Sequence, residues 1–217
     1  MVEIRMWYFV REILLNKHDF FVKQVEFRVF DNFNEAAITK DAEKAVEEFY
    51  ERRRLTSCSE GADDADIAQD AHEHGGDLYI MLTEMKNQVV FATLASLYHQ
   101  WEKDIRNYME NKLKRKFHRV ECMLDTLESS GWSFQETSWF QTIEDCRWVV
   151  NVYKHGRKKA PNGLVKRHPQ FFKEDVIELL GECDDRIWEY RDLSMTPEEF
   201  FQIACAFRQF WVNFPSY

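Results

Sequence analysis

Proline does not occur in this chain until residue 161, and glycine occurs only at 61, 75, 76, 131, 156, 163 and 181. These two residues are the strongest local breakers of regular structure. Proline removes a helical hydrogen bond and clashes with the preceding turn, and glycine loses the most backbone freedom on ordering. A chain with no proline and only four glycines before residue 156 is free to be helical over its first 155 residues. Periodicity then predicts helices near 3–30, 40–54, 76–118, 119–129, 138–155, 173–181 and 196–212. Residues 187–195 read as a short strand or an extended arm.

The segment from Asp77 to Phe117 is expected to be the longest helix. Its stripe of Leu78, Leu82, Met85, Val89, Leu94, Tyr98, Trp101, Ile105, Tyr108 and Leu113 recurs at helical spacing. Thr196-Pro197-Glu198-Glu199 has the form of a helix start, with a capping hydroxyl, a proline in the first turn and acids near the positive dipole end. Aromatic residues make up 15% of the chain, enough with the aliphatic residues for a substantial core. Phe20, Phe21, Phe27, Phe30, Trp101, Phe200, Phe201 and Trp211 are assigned to it.

No apolar run reaches membrane-spanning length, and charges interrupt the apolar N-terminus, so no membrane association is expected. Five scattered cysteines with no CxxC pair fit reduced thiols and a cytoplasmic protein. Residues 1–75 are read as a helical extension with a small, polar, acidic segment at 55–75, a loop or marginal helix, and 76–217 as the main domain. His72 and His74 flank Glu73 in that segment, but a two-residue spacing suits no helical metal site, so an acidic tether or nucleic-acid mimic is preferred. No metal or other cofactor is expected.

Charge points to one place. The chain carries −9 overall, yet the 22 residues from Arg147 to His168 hold seven Lys or Arg and no acid. Arg147, Asn151 and His155 stand four apart and form a slanting row on a helix that Gly156 should end. An imidazole can move a proton to or from a ribose hydroxyl or a leaving oxygen, a guanidinium can clamp a phosphate, and an amide can orient either. Together they would suit metal-independent RNA cleavage through a 2′,3′-cyclic phosphate. Lys154, Arg157, Lys158, Lys159, Lys166 and Arg167 would gather the backbone phosphates. Tyr153 is the one aromatic residue kept as a candidate for base stacking. With equal economy, His155 could be a solvated helix end and Arg147 the partner of a surface acid such as Glu144.

The Arg147–Asn151–His155 segment resembles the signature of the HEPN superfamily, helical domains with an Arg-x(4–6)-His motif at a helix end. Here seven residues intervene. LASLYHQWEKDI is similar to the family's preceding long helix, with Glu102 as the matching supporting residue, and TPEEFFQIACAFRQFW is similar to the last helix of such proteins in bacterial defence and abortive-infection loci. The resemblance covers roughly residues 76–214. It implies an antiparallel helical bundle, a homodimer with two motifs facing one cleft, and an RNase toxin or defence effector with a possible cognate antitoxin. The other function it allows is a non-catalytic dimerisation or adaptor module of a defence system.

Overall fold

In the computed structural model the protein is all-α; the structure describes residues 4–57, 63–156, 164–179 and 188–217. Among them are eight α-helices: α1 Tyr8–Arg28, α2 Glu35–Ser57, α3 Asp64–Leu113, α4 Val120–Glu128, α5 Ser138–His155, α6 Leu164–Arg167, α7 Glu174–Leu179 and α8 Pro197–Asn213. The described part of 187–195 is not a strand. It holds a 3-10 turn at Tyr190–Asp192 and an isolated bridge from Leu193 to Phe172. The chain divides into two compact units, Glu26–Val89 and the remainder, with both divisions falling inside helices, α1 and α3. The sequence boundary at residue 75 also falls inside α3.

In the smaller unit α2 and the first part of α3 form an antiparallel pair. Glu35 meets Tyr79, Phe49 stacks on His74 at 4.8 Å, and Arg53 reaches Asp70 at 3.6 Å. α3 begins at Asp64, twelve residues before the expected start. Gly75 and Gly76, read from sequence as a break, lie in mid-helix. Gly75 lies hard against α2: a β-carbon there would lie 2.2 Å from Val46 Cγ2 and 3.2 Å from the Ala42 carbonyl oxygen. Its use is close approach, and the absence of a side chain is what the site requires. The helix also places His72 on its exposed surface.

The larger unit is built around α5 and α8. Buried side chains cover most of α5, from Phe140 to Val152, and α8 contributes Phe200, Ile203, Phe207, Phe210 and Trp211. From α3, Trp101 packs edge-on against Phe207 and Phe210, ring centres 5.5 and 5.1 Å apart, the favoured aromatic geometry. α4 closes the core with Met123, Leu124 and Leu127. Of the apolar stripe of α3, Leu94, Tyr98, Trp101 and Ile105 are buried, whereas Met85 is exposed. The assignment of Phe20 and Phe27 to the core is also corrected: both point to solvent.

Local signals explain the helix ends. The Thr137 hydroxyl accepts from Phe140 N at 3.3 Å to start α5. Thr196 and Glu199 form a reciprocal box at the start of α8, each side chain accepting from the other's backbone N–H, at 3.2 and 2.6 Å. Gly156 ends α5 with φ of 64°, a region favouring glycine, and donates to the Val152 carbonyl at 2.9 Å.

Gly75→Ala tests the helix contact. Helix propensity alone favours alanine by about 1 kcal/mol, but the collision with Val46 should outweigh it, because overpacking costs about 1–3 kcal/mol. We expect a net loss of stability in thermal unfolding, and the same substitution should stabilise a Val46→Ala background.

Candidate functional site

α5 is nearly surrounded, so its polar side chains are placed by the partners they find. Arg147 is three-quarters buried, 25% exposed, and its guanidinium joins two carboxylates: Glu121 at the start of α4, and Glu144 one turn back at 3.3 Å. Burial works against the charge on Arg147. Glu144, the Tyr98 phenol and Glu121 more than offset it, so the guanidinium is held more firmly charged than usual. Burial raises the Glu144 carboxyl above its ordinary range despite Arg147. Glu121 is lowered, first by its own backbone N–H at the helix start and also by Arg147. Tyr98 lies buried between Glu102 and Arg147, and burial first, then Glu102, pushes its phenol far up.

Glu102 faces this group from α3. It binds Arg106 at 2.5 Å and His99 at 3.5 Å, and Arg106 also donates to the Phe117 carbonyl. His99 Nε2 lies 3.1 Å from Lys154 Nζ, linking α3 to the last turn of α5. Asn151 is half-buried and His155 exposed, and neither makes a side-chain hydrogen bond among the described residues. Tyr153 is occupied by Phe91, with ring centres 5.9 Å apart and nearly parallel, so its face is taken by the core.

The three motif residues therefore share a helix but not a common grip. α5 remains α-helical through His155. Eight residues of helix separate Arg147 from His155 by about 12 Å along the axis and about 80° around it. Arg147 is drawn towards the start of α5 by Glu144 and Glu121, while His155 stands at the other end. The expected coupling of guanidinium and imidazole on one phosphate is not what this geometry provides.

Of the expected phosphate-gathering residues, Lys154 is exposed beside His99. Arg157, Lys158 and Lys159 lie outside the described residues, as does the Lys166 side chain. Arg167 departs from the expectation. Its guanidinium makes two bonds to Asp145, at 3.1 and 2.7 Å, and the same carboxylate takes bonds from His168 at 3.0 Å and Gln141 at 3.2 Å. Burial pushes the Asp145 carboxyl up, but the bonds from His168 and Arg167 and the charge of Arg167 outweigh it, and the group sits below its ordinary value. His168 also stacks on Phe171 at 4.7 Å. This cluster was missed from sequence. Its signal was an acid embedded in the apolar run of α5, followed by Arg-His downstream.

Among the described residues no group of His, Cys, Asp and Glu gathers as metal ligands, and no helix is long and apolar enough to cross a membrane. The chain matches no family model, and no curated protein or solved structure is detectably similar to it.

Asp145 ties residues 167–168 to α5, so its loss should be felt in stability. Asp145→Asn should cost about 3 kcal/mol, the lower end of the range for breaking a buried pair, since Arg167 is partly hydrated. The carboxyl is lowered from 3.8 in the folded chain. Its contribution is therefore complete above that value and disappears as pH falls through the lower folded one. Urea unfolding at a series of acidic pH values should show a loss of stability in the native chain that is shallower in Asp145→Asn. Glu144 acts in the opposite sense in both proteins, and the Asp145 charge is only the last of the causes that hold it raised, so most of its effect cancels in the comparison.

Proposed function

We propose that this chain is a non-catalytic helical interaction module, of HEPN-like architecture, in which the α5 motif braces the bundle and its basic end meets an acidic partner. One observation carries the reading: the Arg147 guanidinium is committed to Glu121 and Glu144. A cation needed to stabilise a phosphorane-like transition state must face the substrate, and this one faces two acids of its own fold. What stays open at the end of α5 is Lys154 and His155, with Arg157, Lys158 and Lys159 next in sequence. Such a group suits the capture of a polyanion or an acidic protein surface. The resemblance to HEPN proteins of defence loci suggests a defence-system adaptor, with the cognate partner as its acidic target.

A second reading has one observation in its favour. Asn151, Lys154 and His155 lie at one end of α5, and Lys154 touches His99, a second imidazole. In a metal-independent endoribonuclease of toxin type, His155 would be the acid/base, Asn151 the orienting group and Lys154 the phosphate contact. Arg147 and Glu102 would then support the helix pair.

The two are separated by incubating the full chain with labelled RNA in EDTA and by measuring growth on expression. The adaptor reading expects no cleavage and no toxicity that Arg147→Ala or His155→Ala relieves. Cleavage that survives EDTA and disappears in His155→Ala would establish the nuclease instead.

A further inference from the structure

α1 has two apolar faces, and the fold of its own unit uses only one. Leu15, His18 and Val25 turn inward, and the helix is pinned to α3 by Lys17–Asp104 at 2.7 Å and to α8 by Arg208–Asp19 at 2.9 Å. Phe9, Ile13 and Phe20 are 71, 49 and 66% exposed. At 100° per residue these three fall within about 40° of each other, on the side opposite Leu15 and His18. Asn16 and Lys23, both exposed, complete the row. The steps 9, 13, 16, 20, 23 alternate four and three, the spacing of a coiled-coil seam. A helix that is apolar on opposite faces is ordinarily covered on both.

We propose that α1 is a dimerisation helix whose outer row, Phe9–Ile13–Asn16–Phe20, packs in parallel against the same row of a second copy of this chain. Three features select that occupant. First, the row is self-complementary. Parallel pairing sets each apolar residue beside its mate and the two Asn16 amides opposite each other, where each can donate to the other across the seam. Second, charge agrees. Glu12 and Asp19 flank one side of the row and Lys17 the other, so the i to i+5 relation of parallel helices brings Glu12 to the partner's Lys17. Two protons of that ammonium are engaged by Asp104, and the third is open. Antiparallel pairing would set Glu12 and Asp19 against each other. Third, the row is a sizeable apolar surface. The exposed parts of the three apolar residues amount to on the order of 400 Å², already the size of the largest apolar patch on a typical monomer. Val10 and the stems of Lys17 and Lys23 extend it towards the roughly 800 Å² per partner of a stable complex. The interface rests on α1 alone and is independent of how α5 functions.

Sedimentation velocity across a dilution series tests it. The full chain should show a monomer–dimer equilibrium, and Phe9→Glu with Phe20→Glu should sediment as monomer throughout with unchanged helical circular dichroism, since both positions face solvent. In a chain whose Cys58, Cys122, Cys183 and Cys205 are replaced by serine, Lys23→Cys should form an oxidised dimer that the same chain with Lys23 does not, because only parallel pairing sets position 23 beside its mate. A native chain that stays monomeric, which would leave the face to a different partner, overturns the proposal. So does a Phe9→Glu/Phe20→Glu chain that dimerises as before. A dimer without the Lys23→Cys bridge overturns the parallel arrangement.

Discussion

A helix enclosed on nearly every side can carry charge only where each charged group finds a partner, because an unpaired buried charge is among the most expensive defects a fold can hold. α5 is such a helix, and it carries Glu144, Asp145 and Arg147 in its middle. Residues 145 and 147 are about 200° apart on the helix, so they face different neighbours. Asp145 is answered by Arg167, His168 and Gln141, and Arg147 by Glu121 and Glu144. The need to neutralise α5 on both sides therefore decides where α4 and the end of α6, with His168, are held.

That requirement separates polar residues that hold the fold from those left for a partner. Asp145 and Arg147 are consumed internally. Lys154 and His155, about two to three turns further on, escape because α5 is leaving the core and Gly156 ends it. The aromatic packing of Trp101, Phe207 and Phe210 supplies the rigid frame behind them. On either proposed reading, adaptor or nuclease, the described residues left for a partner are those at the end of α5.

What could be read from sequence depended on whether a signal was local. The Thr196 cap, the Gly156 stop and the bounds of α5 and α8 rest on backbone chemistry within a few residues, and the structure shows them within a residue of where the sequence placed them. Gly75 was misread because the same residue serves as breaker and as contact point, and only Val46, 29 positions away in the chain, distinguishes the two. Phe20 and Phe27 were assigned inward because an apolar helix face announces burial without saying against what. The spacing of Arg147 and His155 was legible, but the acids that claim Arg147 include Glu121, 26 residues upstream, which no spacing rule connects to it.

The central claim is that Arg147 is a brace, energetically joined to its carboxylates. A double-mutant cycle with Arg147→Met and Glu121→Gln, followed by urea unfolding, measures that join directly. The account predicts that the two losses fail to add by about 1 kcal/mol, as expected for a partly exposed charge pair. Losses that add in full would mean the guanidinium and the carboxylate are indifferent to each other, and Arg147 would be free for a substrate.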